Sequence, residues 1–116
     1  MARIKPATYE LRIPQRATLE EAMVLKAGGV ALNLTGYTVV AQIWKDEKRR
    51  LKLADLTVTY VNRAAGSIKL SLTRSQTRLI ASGGFWDLLV IEPGGAADYW
   101  LEGAAVLDIG LADDVA

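Results

Sequence analysis

The side chains that most often carry acid–base, thiol and zinc chemistry near neutral pH are missing, because the 116 residues contain no histidine and no cysteine. Carboxylates are what remain. Asp87, Asp98, Glu102 and Asp108 follow one another over a short stretch, and glycoside hydrolysis needs two acids flanking one bond at about 5–10 Å. No motif sets two of them across a cleft; Asp87 and Glu102 read as outward polar positions of alternating strands. Asp46-Glu47 and Asp113-Asp114 lack the spaced oxygen ligands and turn glycine of a calcium loop, so they read as solvated charge. Lys45, Lys48, Arg49, Arg50 and Lys52 form a basic cluster, but Asp46 and Glu47 interrupt it, which argues against a surface that tracks phosphates. The pairs Gly28-Gly29, Gly83-Gly84 and Gly94-Gly95 stand in no phosphate-loop or dinucleotide motif and read as turn glycines. Asn33-Leu34-Thr35 matches the glycosylation sequon, a pattern common by chance and irrelevant without eukaryotic secretion. The expectation is a chain with no catalytic residues, no metal and no cofactor.

Aromatic and apolar side chains point instead to binding. Trp86 shares a strand face with Leu88 and Val90, which places it in the core. Trp44 is in register with Thr38, Val40 and Gln42 beside the charged run and is the leading candidate for an exposed contact. Together with Tyr99 and Trp100 it also permits a sugar-stacking platform, the reading of a carbohydrate-binding module. Leu89 and Ile91 alternate with Trp86, Leu88 and Val90, and Leu101, Ala105, Leu107 and Ile109 alternate with Trp100, Ala104 and Val106. A strand apolar on both sides implies that its second face is covered, by another protein or by the chain's own crossover helix or N-terminal arm. The candidate interface is therefore Trp44, Arg49, Arg50, Leu89, Ile91, Leu101 and Leu107, in a homo-oligomer or a complex with other proteins.

These residues must be positioned by strands. With 51% hydrophobic and 23% charged residues and a formal net charge of +1, the composition is globular and offers no cationic field for nucleic acid or anionic lipid. No apolar run approaches the roughly 18–20 residues of a membrane span, and the start lacks the apolar core of a signal peptide. Short β-branched and aromatic runs recur at the 8–12 residue spacing of a β-sandwich or barrel, and seven strands are counted. They begin with residues 9–13, closed by Pro14 at an edge or sheet switch, and residues 19–26, helical by propensity but read as a strand because Ala27-Gly28-Gly29 turns it toward Val30, Leu32 and Leu34. Residues 37–44 follow, then the charged hairpin tip, a hairpin over 56–72, and two long strands around Pro93-Gly94-Gly95. Between Thr73 and Gly84, Thr and Ser can cap a short crossover helix and Ser82-Gly83-Gly84 can end it. One domain covers 1–116, with an N-terminal arm (1–8) and an acidic tail (110–116).

Several segments in order then resemble a known family. Leu34-Thr35-Gly36-Tyr37 before Ala41-Gln42-Ile43, Gly66-Ser67-Ile68-Lys69-Leu70-Ser71-Leu72-Thr73, Gln76-Thr77, Gly84-Phe85-Trp86-Asp87-Leu88 and Leu101-Glu102-Gly103 are similar to the N-terminal domain of phage baseplate upper proteins and related small tail proteins. The resemblance spans most of residues 9–109. It implies an all-β, seven-stranded immunoglobulin-like sandwich in the virion, made in the bacterial host cytoplasm, that anchors fibres or receptor-binding proteins to the tail or baseplate. Other virion structural proteins are the expected partners. Capsid decoration is the alternative within the same class.

Overall fold

The computed structural model describes residues 7–46, 48 and 50–110. Among the described residues the chain forms strands β1 (Ala7–Thr8), β2 (Leu11–Gln15), β3 (Leu19–Val24), β4 (Lys26–Ala27), β5 (Val30–Ala31), β6 (Thr38–Trp44), β7 (Lys52–Asn62), β8 (Ser67–Leu72), β9 (Gly84–Ile91) and β10 (Ala97–Ile109), with one α-helix, α1 (Arg74–Arg78), and a 3-10 turn at Arg63–Ala65. Three of the ten are two-residue pieces, so seven strands carry the architecture. The path β1-β10-β9-β6-β7-β8-β3 is continuous, with β2 beside β1 on β10, and β4 and β5 pair separately. Strand β7 is what folds this sheet over. Its first half pairs with β6 (Leu56 opposite Ala41) and its second half with β8 (Thr57 opposite Ser71). The result is an all-β, immunoglobulin-like sandwich with a single short helical crossover between β8 and β9.

Period-two alternation decides which side chains fill the sandwich. Val39, Ala41 and Ile43 of β6, Trp86, Leu88 and Val90 of β9, and Ile68, Leu70 and Leu72 of β8 are all buried in one core with Leu11 and Ile13 of β2. Each fully buried Leu, Ile or Val stabilises by about 1.5–3 kcal/mol before chain entropy is subtracted. The helical propensity of residues 19–26 loses to this packing: Leu19–Val24 is a strand, paired residue for residue with β8.

Local chemistry marks the turns. Thr73 caps α1 in a capping box, its hydroxyl accepting from the Gln76 N–H at 3.2 Å while the Gln76 side chain accepts from the Thr73 N–H at 2.7 Å. The Leu34–Tyr37 turn is held from outside. Arg63 donates to the carbonyls of Leu34 and Tyr37 at 3.1 and 2.8 Å while its guanidinium lies 3.6 Å over the Tyr60 ring. Gly36 has φ +80°, the left-handed value that permits the turn.

Four boundaries differ from expectation. The first long strand starts at Leu11, and Pro14 lies inside it opposite Asp108; β2 is an edge strand, where a missing N–H is tolerated. The run read as one strand to Lys26 ends at Val24, and beyond it Lys26–Ala27 and Val30–Ala31 form a separate small hairpin around Gly28-Gly29, after which the Leu32 and Leu34 N–H groups donate to the Leu25 and Arg63 carbonyls. Helix α1 stops at Leu79, without a glycine, and Gly84 begins β9. Strand β10 carries a bulge between Tyr99 and Leu101, which resets the facing of everything after it.

Candidate functional site

The two outer faces of the sandwich are unlike. On the β3-β8-β7 side the outward rows read Glu20-Ser71-Thr57, then Ala22-Lys69-Thr59, a mainly polar surface that ends at exposed Val24, opposite Ser67, and exposed Val61. On the β10-β9-β6 side the rows read Tyr99-Leu89-Val40, then Glu102-Asp87-Gln42, then Ala104-Phe85-Trp44, with Ile91 and Thr38 beyond the first. Tyr99 and Phe85 are each 41% exposed, and Val40, Leu89 and Ile91 are half-buried.

An open depression of about 390 Å³ lies at the Trp44 end of this face. Its walls are Trp44 and Phe85, cross-strand neighbours, and the carboxylates Asp46, Asp87 and Glu102; the backbone at Trp86 and Gly103 contributes the floor. Asp87 and Glu102 are direct register partners in the antiparallel pair. Like charges placed so are mutually unfavourable. The two acids project side by side from one flat face, so the geometry of a bond held between opposing carboxylates is not formed.

Hydrogen bonds orient the rim. The Trp44 indole N–H donates to Gln42 Oε1 at 3.2 Å, and Gln42 Nε2 donates to Asp55 at 2.9 Å. The Lys52 ammonium lies 3.0 Å from the same carboxylate. That hydrogen bond from Lys52, with the one from Gln42, holds the Asp55 carboxyl below its ordinary range against partial desolvation. At the tip, partial desolvation pushes Asp46 up, but the Arg50 and Lys48 backbone N–H groups and the Arg50 guanidinium outweigh it and leave Asp46 below its ordinary value. A carboxyl lowered on folding contributes stability that is present above its unfolded pKa and lost as pH falls through the folded one. Carbon-detected titration of the two carboxyls is therefore expected to give midpoints below 3.8, with the Lys48 and Arg50 amides losing protection over that same acid range. Midpoints at or above 3.8 would contradict the tip geometry.

At the other side of the floor, Tyr9 ties the two sheets together. The Trp86 indole N–H donates to the Tyr9 carbonyl at 2.7 Å, the two rings meet edge to face with centroids 6.0 Å apart, and the Tyr9 hydroxyl donates to Glu21. That hydrogen bond, with burial and the Glu21 charge, raises the Tyr9 pKa. Gly103 is required here, since a Cβ would stand 2.3 Å from the Tyr9 carbonyl oxygen.

No family model matches the chain, and no curated protein matches it. Among solved structures it is similar to a chain of the "Crystal structure of ICOS in complex with ICOS-L and an anti ICOS-L VNAR domain", with a TM-score of 0.49 and 11% identity over 90% of this chain and 56% of that one. This chain thus spans little more than half of that neighbour's length. It is also similar to a chain of the "Crystal Structure of the ZIG-8-RIG-5 IG1-IG1 heterodimer, monoclinic form", with a TM-score of 0.44 and 10% identity over 96% and 90% of the two chains.

Of the residues singled out from the sequence, Trp44, Leu89 and Ile91 stand on the outer face as expected, and Trp86 is buried at 2% exposure. Arg50 is exposed at the tip and paired with Asp46 at 3.3 Å; Arg49 lies outside the described residues. Leu101 and Leu107 require correction. Both face inward and pack against the core, because Leu101 opposes Leu88 and Leu107 opposes Ile13 after the bulge. The outward residues of β10 are Tyr99 before the bulge and Glu102, Ala104 and Val106 after it. Trp100, at the bulge, also packs on the core, so Trp44, Tyr99 and Trp100 form no common sugar platform. The adjacency of Asp87 and Glu102 went unseen in the sequence; the cue was the polar break that each makes among the apolar residues of its strand. Among the described residues, no three His, Cys, Asp or Glu side chains gather as a metal site. No described helix is long and apolar enough to cross a membrane.

Proposed function

We propose that this chain is a non-enzymatic structural protein of a phage particle, a tail or baseplate component that docks fibres or receptor-binding proteins, and further copies of itself, through the outer face of β10-β9-β6. The observation that carries the interaction role is the apolar content of the β10-β9-β6 outer face: a strip of Val40, Leu89, Ile91 and Tyr99 at one end and Trp44 with Phe85 at the other, on either side of the polar Glu102-Asp87-Gln42 row. Apolar area contributes about 25 cal/mol per Å² when it leaves water, so covering such a strip supplies several kcal/mol before association costs are subtracted. The virion assignment is supported by the family resemblance, whose segments coincide with the Gly36 turn, β8, the Thr73–Gln76 capping box and β9.

Two measurements test this reading. Immunogold labelling of intact particles is expected to mark the tail or baseplate; label over the capsid shell, or none, would overturn the assignment. The pair Leu89→Ser and Ile91→Ser, both on the outer face, is expected to leave the melting temperature close to wild type and to lower incorporation into particles by at least about tenfold, the equivalent of ~1.4 kcal/mol. A folded double variant incorporated like wild type would show that the strip is not the docking surface.

A further inference from the structure

One edge of the folded sheet is open. Strand β3 ends the path β1-β10-β9-β6-β7-β8-β3, and among the described residues only β8 pairs with it. Register decides which of its backbone groups point outward. The Leu25 N–H donates to the Gly66 carbonyl at 2.9 Å and continues the β3–β8 register, so residues of the same parity, Leu19, Glu21 and Met23, bond to β8. Glu20, Ala22 and Val24 therefore turn their N–H and C=O groups to the open side, where no described residue bonds to them. The β4–β5 hairpin leaves this edge clear, because the Leu32 N–H donates to the Leu25 carbonyl beside Gly66, on the β8 side.

We infer that two copies of this chain pair antiparallel through β3 about a twofold axis at Ala22, joining their β3-β8-β7 sheets into one. An open edge is a template for a further strand, and a twofold contact uses the same patch on both subunits. The residues of β3 are complementary to themselves in one register. An axis at Glu20 or Glu21 would set two carboxylates directly opposite each other, which is unfavourable. An axis at Met23 or Val24 runs the ladder past Val24, where β3 ends. At Ala22 the strand is used symmetrically: Glu20 of each copy faces Val24 of the other, Glu21 faces Met23, and Ala22 faces itself. The pairs Glu20–Val24, Ala22–Ala22 and Val24–Glu20 then exchange about six main-chain hydrogen bonds, two to a pair. Lys69 lies beside Ala22 on β8 and 3.9 Å from Glu20. The axis sets both lysines and both Glu20 carboxylates around the Ala22 pair in alternating sign, and alanine is small enough to leave that space open. Val24, 47% exposed in the single chain, is covered by the Glu20 stem of the other copy. The contact belongs to the opposite sheet, so the outer face of β10-β9-β6 stays open in the dimer.

The test is sedimentation velocity over a dilution series, with amide exchange measured at its two ends. Wild type is expected to dimerise. The Glu20, Ala22 and Val24 amides are expected to exchange at least about tenfold more slowly where the dimer dominates, while those of Leu19, Glu21 and Met23, bonded to β8, keep one rate. Ala22→Pro removes the outward N–H without touching the β8 ladder, and Ala22→Lys sets two ammonium groups opposite each other across the axis. Each is expected to weaken the dimer at least about tenfold. Circular dichroism establishes that the variants are folded, and Ala22→Lys carries the test alone if the proline variant is not. Thr57→Lys, exposed on the same face and two strands from the edge, is the control and is expected to dimerise like wild type. A monomeric wild type, a dimer that survives in folded Ala22→Lys, or exchange at Glu20, Ala22 and Val24 that ignores concentration overturns the inference. A dimer lost in the Leu89→Ser, Ile91→Ser pair but kept in Ala22→Lys overturns it too, and assigns the contact to the other face. None of these results touches the docking strip itself, which is tested by incorporation into particles.

Discussion

Trp86→Ala is expected to lower the unfolding free energy by about 3–5 kcal/mol, a large share of the ~5–15 kcal/mol that holds a domain of this size. In melting temperature this is a fall of roughly 10–25 °C. The ring is 2% exposed on the inward face of β9, next to Leu88, so the truncation opens a cavity in the core. Two further contacts disappear with it: the 2.7 Å bond to the Tyr9 carbonyl and the edge-to-face packing on the Tyr9 ring. The N-terminal segment that Tyr9 anchors to β10 should loosen as well, visible as faster amide exchange at Tyr9, whose N–H bonds to the Glu102 carbonyl at 2.9 Å. Trp86→Phe separates the contributions. It keeps most of the volume and loses the N–H donor, at a cost of about 1–3 kcal/mol. An alanine variant as stable as wild type would place the ring outside the core and reverse the facing of β9.

The second large effect falls on a residue with no side chain. Gly84 opens β9 against the end of β6, and a Cβ there would lie 2.1 Å from the Trp44 carbonyl oxygen and 3.0 Å from the Lys45 Cα. Both are backbone atoms, so relief requires the strands to separate rather than a rotamer to change. Gly84→Val is expected to destabilise by about 2–4 kcal/mol, in the upper range for overpacking, and to change Trp44 fluorescence because the wall of the depression moves with that strand end. Gly94→Ala is the control. It lies in the β9–β10 turn with nothing within 4 Å of its Cβ position, and its stability should stay within about 0.5 kcal/mol of wild type. Equal melting temperatures for the two variants would mean that the close approach at Gly84 is not real.

The sequence alone determined what depends on neighbours along the chain. Alternation in β6, β8 and β9 set which residues face inward, so Trp86 was assigned to the core and Trp44, Leu89 and Ile91 to the outer face. A Thr able to cap a helix marked the start of α1 at Thr73, and the absence of histidine and cysteine removed whole classes of chemistry. What only the tertiary structure decided is what depends on register between distant strands. The extra residue at Tyr99–Leu101 turned Leu101 and Leu107 toward the core, since a one-residue slip exchanges the two faces of a strand. Gly84 and Gly103 were needed because backbone from elsewhere in the chain passes over them, which no local pattern records. Asp87 and Glu102, fifteen positions apart, became neighbours only through the pairing of β9 with β10. The candidate pocket exists because side chains from three strands and a hairpin tip converge there, and convergence is a property of the folded sheet.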